Sequence, residues 1–229
     1  MKKILLISLV MLLAVSVAFS QFGIKGGLNL GTFGGADKAI NPGVFDASLA
    51  GLPNIDPTNR SAFTAGISYK IGLIAGLSIQ PEALYTQKGA VYEISLPAAF
   101  GGGSGKGTFK LDYVDIPILV KFNLPIPLVS PYIEGGVSYS ILVSSKFKGE
   151  SPDGTSEEKS VKDMLGVDVN KNDFSIVVGV GIEILILDIN ARYVIGQTKI
   201  IKDDPTALIN PGDKKIYNRG IMLTAGLRF

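Results

Sequence analysis

Residues 217–229 read YNRGIMLTAGLRF, and apolar side chains occupy every second position from Ile221 to Phe229. The positions between them hold small or polar residues such as Thr224 and Gly226. A period of two is typical of a β-strand that has one apolar face. At the edge of an open sheet such a strand would leave its backbone groups unpaired, an arrangement that proteins usually avoid. We therefore expect this strand to pair with the first strand of the chain and to close a barrel.

Seven further segments show the same alternation, so the sequence predicts an all-β fold of eight strands. The predicted strands are residues 22–33, 61–72, 77–94, 108–124, 132–147, 173–184, 188–199 and 217–229. The long connections, which alternate with short turns, are residues 34–60, 97–107, 148–172 and 200–216. This layout is typical of an eight-stranded antiparallel up-and-down transmembrane β-barrel with short periplasmic turns and long extracellular loops. The apolar strand faces suit lipid, whereas the small and charged faces suit a narrow lumen.

The start of the chain has the pattern of a secretory signal peptide. Two early lysines precede an apolar core at residues 4–15 and a small-x-small cleavage site at residues 18–20. We therefore predict a cleaved signal peptide at residues 1–20 and one outer-membrane β-barrel domain at residues 21–229. This organisation predicts that the protein is exported to the cell outer membrane.

The composition argues against several classes of function. The chain has no Cys and no His, which excludes disulfide scaffolds, zinc-thiolate sites and catalysis by Ser-His or Cys-His pairs. Without the predicted signal peptide, basic and acidic residues are equal in number, so there is no electrostatic case for nucleic-acid binding. Residues 168–172 match the opening of a calcium loop, but Asp173 and Gly179 stand where Gly and Glu are required. We expect no enzyme, cofactor or built metal site, and only a weak surface cation site remains open.

Charged residues fall on the predicted lumen face, in the half nearer the short turns. They are Lys25, Lys70, Glu82, Lys121, Glu134, Glu183, Arg192 and Arg228. Buried charges are tolerated only when they are paired and hydrogen-bonded. The pairs expected between neighbouring strands are Lys70 with Glu82, Lys121 with Glu134, and Glu183 with Arg192. The sequence thus predicts a polar network that plugs the lower lumen, below a looser and wetter upper lumen lined by small polar residues such as Asn29, Thr64 and Ser138.

Several motifs resemble the PorT-like outer-membrane β-barrel family of Bacteroidetes-type Gram-negative bacteria. They are FGIKGGLN (22–29), QPEALY (80–85), DYVDIP (112–117), YIEGG (132–136) and GLRF (226–229). The resemblance covers the chain after the predicted signal peptide and implies an outer-membrane barrel. One type of member is tied to the secretion system of gliding bacteria, so a link to secretion is implied. The terminal Phe229 resembles the signal read by the barrel-assembly machinery, although Leu227 stands where a second aromatic residue is usual.

The leading hypothesis is a non-enzymatic integral outer-membrane barrel that acts structurally or binds a partner through extracellular loops 34–60 and 148–172. The alternative is a narrow channel for small solutes or ions. A lipid-modifying enzyme and a soluble lipocalin-like binder rank lower, because His is missing and the apolar faces suit lipid. The expected partners are outer-membrane lipid and lipopolysaccharide, the barrel-assembly machinery during insertion, and a protein at the extracellular loops, with no nucleic acid.

Overall fold

The structure is a computed structural model that describes residues 20–35, 55–95, 103–124, 126, 128–151, 154–166, 168–202 and 215–229. The predicted signal peptide, residues 1–20, lies outside the described residues except for Ser20. The described residues form ten strands and one short helix. The strands are β1 (Ser20–Gly34), β2 (Thr58–Gly72), β3 (Leu77–Lys88), β4 (Ala90–Ser95), β5 (Ser104–Asn123), β6 (Val129–Glu150), β7 (Ser156–Ser160), β8 (Asn172–Ile184), β9 (Leu187–Lys199) and β10 (Tyr217–Arg228), and the helix is α1 (Val161–Leu165).

Eight of the described strands close into an antiparallel ring in the order β1, β2, β3, β5, β6, β8, β9 and β10. β10 pairs with β1 from Tyr217, opposite Gly34, to Arg228, opposite Gly23. Because the last strand pairs with the first, neither exposes a free edge along this pairing. The predicted fold class, an eight-stranded up-and-down barrel, is confirmed.

Alternate residues of each ring strand point to opposite sides of the barrel wall. On β5, Val114 and Ile118 are exposed on the outside, whereas Asp115, Leu119 and Lys121 are buried in the lumen. β10 shows the same alternation along its length. The outside is therefore apolar and much of the lumen is polar, which is the arrangement found in barrels that lipid surrounds.

Short connections in the described part of the chain join ring strands at one end of the barrel, which we call the turn end. They are residues 73–76 between β2 and β3, residues 124–128 between β5 and β6, and residues 185–186 between β8 and β9. The opposite end, which we call the loop end, carries the longer connections. The short and long connections therefore lie on opposite ends, as the sequence predicts.

One predicted strand, residues 77–94, is divided at the loop end into β3 and β4. The break lies at Gly89, whose φ of +125° is rarely adopted by residues with a side chain. A Cβ at Gly89 would also overlap the carbonyl oxygen of Phe109. Beyond this point β4 pairs with β5 and β2, with Val91 opposite Thr108. The chain thus builds an extension of the sheet above the ring.

The predicted loop at residues 148–172 contains ordered structure. β6 continues to Glu150 and pairs with β7 in a hairpin, and α1 follows β7 directly. Ser160 caps this helix, because its Oγ accepts a hydrogen bond from Asp163 N at 3.0 Å, and Gly166 ends it with a φ of 67°. No helix in the described part of the chain is long and apolar enough to cross a membrane.

Candidate functional site: the filled lumen

Arg192 is the centre of a group of charges near the turn end, which we call the lower cluster. Its Nε donates to Glu134 Oε1 at 2.6 Å, and its Nη1 and Nη2 donate to the two oxygens of Glu82 at 2.6 and 2.8 Å. Glu82 also accepts hydrogen bonds from Lys25 Nζ at 2.7 Å and from Gln80 Nε2 at 2.5 Å. Arg192, Glu82 and Glu134 belong to β9, β3 and β6, which are not neighbours in the ring. These bonds therefore cross the lumen.

Glu183 and Asp188, which lie opposite each other on β8 and β9, complete the lower cluster. Asp188 accepts hydrogen bonds from Lys121 Nζ at 3.0 Å and from the Tyr132 hydroxyl at 2.5 Å. The ion-pair partners of Glu183 are Arg228 at 2.7 Å, Lys70 at 2.9 Å and Lys121 at 3.4 Å. Both carboxylates therefore have charged partners, which offsets part of the cost of removing them from water.

The structure places the eight charged residues of the predicted network in the lumen, but it pairs them differently. Lys70 forms an ion pair with Glu183 and not with Glu82, because the register between β2 and β3 places Ser68 opposite Glu82. Lys70 is half-buried, whereas Glu82 and Glu183 are buried. The expected pair of Lys70 with Glu82 is therefore replaced by a pair that spans the turn end of the barrel.

The other two predicted pairs, Lys121 with Glu134 and Glu183 with Arg192, are also replaced by pairs that cross the lumen. Lys121 does lie opposite Glu134 on the neighbouring strand, yet its ammonium group is 3.0 Å from Asp188 on the far wall. Arg192 bonds to Glu134 and Glu82 instead of Glu183. In an eight-stranded barrel the lumen is only wide enough for side chains, so long side chains reach the opposite wall. The predicted network omits three residues of the lower cluster, Gln80, Tyr132 and Asp188. Each lies at a lumen-facing position of the alternating strand pattern, and this position could have identified it from the sequence.

An upper cluster lies nearer the loop end around Lys88. Its Nζ is 3.0 Å from Asp115 Oδ1 and 3.7 Å from Asp173 Oδ2, and it donates to Ser140 Oγ at 3.0 Å. Asn218 Nδ2 donates to Asp173 Oδ2 at 2.9 Å. All five residues are buried. The predicted network does not include this cluster.

Apolar lumen residues separate the two clusters. The buried apolar residues between them along β3, β5, β8 and β10 include Leu84, Leu119, Val177 and Met222, and buried polar residues such as Thr86, Ser175 and Thr224 lie on the same strands. A cavity of only about 10 Å³ remains here, between Asp115 of the upper cluster and Arg192 of the lower cluster. This volume is about that of one water-sized probe, so this cavity holds no more than about one water molecule.

An apolar cluster, which we call the cap, fills the barrel between the upper cluster and the loop end. Its buried members are Phe33, Ala90, Tyr92, Leu111, Tyr113, Phe147, Val161, Val169, Ile200 and Ile216. Phe109 packs edge-on against Phe147 with ring centroids 4.9 Å apart. Burial raises the pKa of the Tyr92 hydroxyl well above its usual range, so this group stays neutral. The cap includes apolar groups from outside the predicted strands, namely Val161, Val169 and Ile200, so the loop end of the lumen is more apolar than the sequence predicts. The looser and wetter lumen around Asn29, Thr64 and Ser138 stays a prediction.

The remaining sequence-based sites are less organised. Asp168, in the calcium-like stretch, lies 3.4 Å from Lys162 Nζ, and Asn170 donates to the Lys199 carbonyl at 2.7 Å. Within the described ranges, no group of three or more acidic side chains is arranged to hold a metal ion. Phe229 N donates to the Phe22 carbonyl at 2.8 Å, and its ring is exposed on the outside at the turn end.

Several solved structures are similar to this chain at low identity. Neisserial surface protein A is 11% identical with a TM-score of 0.41, and the match covers 91% of this chain and 97% of that chain. OprG from Pseudomonas aeruginosa is 13% identical with a TM-score of 0.46, over 92% and 96% of the two chains. Ail of Yersinia pestis, in complex with the heparin analogue sucrose octasulfate, is 16% identical with a TM-score of 0.40, over 92% and 99%. Among curated proteins, none matches the chain.

The sequence profile of the outer membrane protein beta-barrel domain matches residues 16–202. This range includes every described strand from β1 to β9. In outer-membrane barrels the short turns face the periplasm and the longer loops face the outside of the cell. The chain therefore belongs to the outer membrane protein beta-barrel domain family, and its turn end is the periplasmic end.

Proposed function

We propose that this protein is a closed, non-enzymatic outer-membrane barrel that acts structurally or binds a partner with its extracellular loop end. The observation that supports this proposal is the filled lumen. Two clusters of paired charges, an apolar layer between them and the cap occupy the path along which a solute would travel. A conducting barrel needs a continuous polar passage, whereas the cavity between the clusters has a volume of about 10 Å³.

The extension above the ring supports a binding role for the loop end. The hairpin of β6 and β7 presents exposed charges, including Glu157 and Lys159, while Val161 of the adjoining helix is buried in the cap. This anchor would hold the hairpin in one position on the barrel, and a fixed surface loses little entropy when it binds a partner. We propose that the partner contacts the described part of loop 148–172 together with loop 34–60, of which residues 36–54 lie outside the described residues.

The resemblance to PorT-like barrels supports two finer proposals. The partner would belong to a secretion assembly, and Phe229 would be recognised by the barrel-assembly machinery after removal of a signal peptide at residues 1–20. Outer-membrane lipid and lipopolysaccharide would surround the apolar wall. Processing of a radiolabelled precursor tests the signal peptide, and membrane insertion of a Phe229→Ala variant tests the assembly signal. Slower insertion of the variant with normal processing would support the assembly role of Phe229.

Conductance in planar bilayers tests the closed-barrel proposal. Purified protein that shifts in gel mobility between unheated and boiled samples is folded, and the folded protein should show no steady single-channel current. Steady conductance from such a preparation would refute the proposal and establish the channel alternative. The binding role is tested separately by photo-crosslinking in cells from position 159, with position 120 on the apolar wall as the control. A discrete protein adduct at position 159 alone is the expected result.

A further inference from the structure

The turns at the turn end carry large apolar side chains that nothing in the described structure covers. Ile74 is 80% exposed, Leu128 is 75% exposed and Leu185 is 76% exposed. Each lies at the tip of a different turn, in residues 73–76, 124–128 and 185–186. Each is accompanied by another exposed apolar residue of its own turn, namely Leu73, Ile126 or Ile186. Contiguous exposed apolar residues of this kind mark a surface that contacts another molecule or a membrane.

The backbone conformation of these turns is energetically unfavourable for the residues that occupy them. Ala75, Leu128 and Leu185 have φ values of 53°, 71° and 53°, in the left-handed region where Gly and Asn are strongly favoured. A two-residue hairpin turn such as residues 185–186 usually contains Asn-Gly or Asp-Gly. Leu128 and Leu185 are 75% and 76% exposed, so contacts with the described residues offset little of the strain. A contact outside the chain that buries these apolar side chains would supply the missing free energy.

The outward-facing apolar side chains of the ring strands form a band around the barrel. Polar residues on the outside of the wall mark the border of this band on the side of the loop end. On the outside at this border lie Asp112 and then Lys110 on β5, Asn172 on β8 and Arg219 on β10. On β2 the outward-facing apolar residues run from Phe63 to Ile71. At about 3.3 Å per residue and a strand tilt of about 40°, this run covers roughly 20 Å of membrane thickness, whereas the run from Phe174 to Ile184 on β8 covers roughly 25 Å.

An outer-membrane barrel normally presents an apolar band about 25 Å tall. The membrane cannot move towards the loop end to reach this height without covering Lys110 and Arg219. Towards the turn end the band continues without a polar interruption, from Phe122 through Leu124 to Ile126 on one connection. Where the apolar run of the strand itself is shorter, as on β2, the turn residues bring the band to the expected height.

We propose that the three turns are lipid anchors, whose apolar tips insert at the boundary between headgroups and acyl chains of the periplasmic leaflet. The tips are distributed around the ring, at the connections β2–β3, β5–β6 and β8–β9, and they continue the lipid-facing wall. A membrane surrounds a barrel on every side, whereas one docked protein would meet one sector. Lipid is therefore the occupant that fits this distribution.

Single cysteines test the proposal directly, because the chain contains no Cys. Ile74→Cys, Leu128→Cys and Leu185→Cys, each labelled with the environment-sensitive dye NBD, would be inserted into phosphatidylcholine vesicles with brominated acyl chains. Val120→Cys, on the lipid-facing wall, and Ser156→Cys, on the exposed loop-end hairpin, are the controls. The heat-dependent gel shift confirms that each variant is folded.

The expected result at all three turns is blue-shifted emission, quenching by bromine comparable with that at Val120, and protection from iodide present on both sides of the membrane. Bromines placed near the headgroup should quench more strongly than bromines near the acyl terminus. Emission and iodide quenching like those at Ser156 would overturn the proposal. The turn tips would then lie in water, and a periplasmic protein with an apolar surface would become the occupant to seek.

Discussion

Replacement of Arg192 by Ala should be the most damaging single change in the lumen. The guanidinium group makes close hydrogen bonds to Glu134 at 2.6 Å and to Glu82 at 2.6 and 2.8 Å, and all three residues are buried. Arg192→Ala leaves both carboxylates without this partner, although Glu82 keeps its bond to Lys25. Removing one partner of a buried ion pair costs about 3–5 kcal/mol. We expect a loss of this size in the free energy of unfolding.

The assay is a urea titration of protein folded in short-chain phosphatidylcholine vesicles, with the fraction folded read from the unheated gel band. Arg219→Ala is the matched control, because Arg219 is exposed on the outside at the loop end, and it should change the free energy by no more than about 0.5 kcal/mol. The quadruple variant K25M/R192M/E82Q/E134Q removes the charges of Arg192, both glutamates and the Lys25 that pairs with Glu82, and it should recover much of the loss. A loss below about 1 kcal/mol for Arg192→Ala would refute the view that this network stabilises the barrel.

Three further predictions follow from the lumen and the wall. Tyr92→Ala should cost about 3 kcal/mol in the same titration, because it leaves a cavity in the buried cap; an unchanged midpoint would contradict the packing. Gly27→Ala should reduce the folded fraction because its Cβ would overlap the Leu223 carbonyl oxygen, whereas the neighbouring Gly26→Ala, whose Cβ would meet the Thr64 carbonyl at 3.7 Å, should fold normally. Folded Arg192→Ala should still show no bilayer conductance, since the cap stays closed, and a steady current would show that the lower cluster alone seals the lumen.

The alternation of side chains was sufficient to predict the architecture. Residues 217–229 alternate because one face of a barrel strand meets lipid while the other meets the lumen, and this requirement is local to each strand. It therefore predicts the number of strands in the ring, the ends of the barrel that carry turns and loops, and the side of the wall on which Lys121 or Arg192 lies. The charged character of the lower lumen follows from the same local rule.

The pairing of these charges and the closure at the loop end depend on tertiary structure. Lys121 lies opposite Glu134 in the register between β5 and β6, but its ammonium group pairs with Asp188. The curvature of the barrel brings the far wall within the reach of the Lys121 side chain. Val161 enters the cap because the β6–β7 hairpin and α1 fold back over the lumen. The amino-acid sequence by itself determined which side of the wall each strand residue faces, since that depends only on its immediate neighbours in the chain. Only the closed ring decided which distant residues meet, because that depends on curvature, register and the reach of side chains across the lumen.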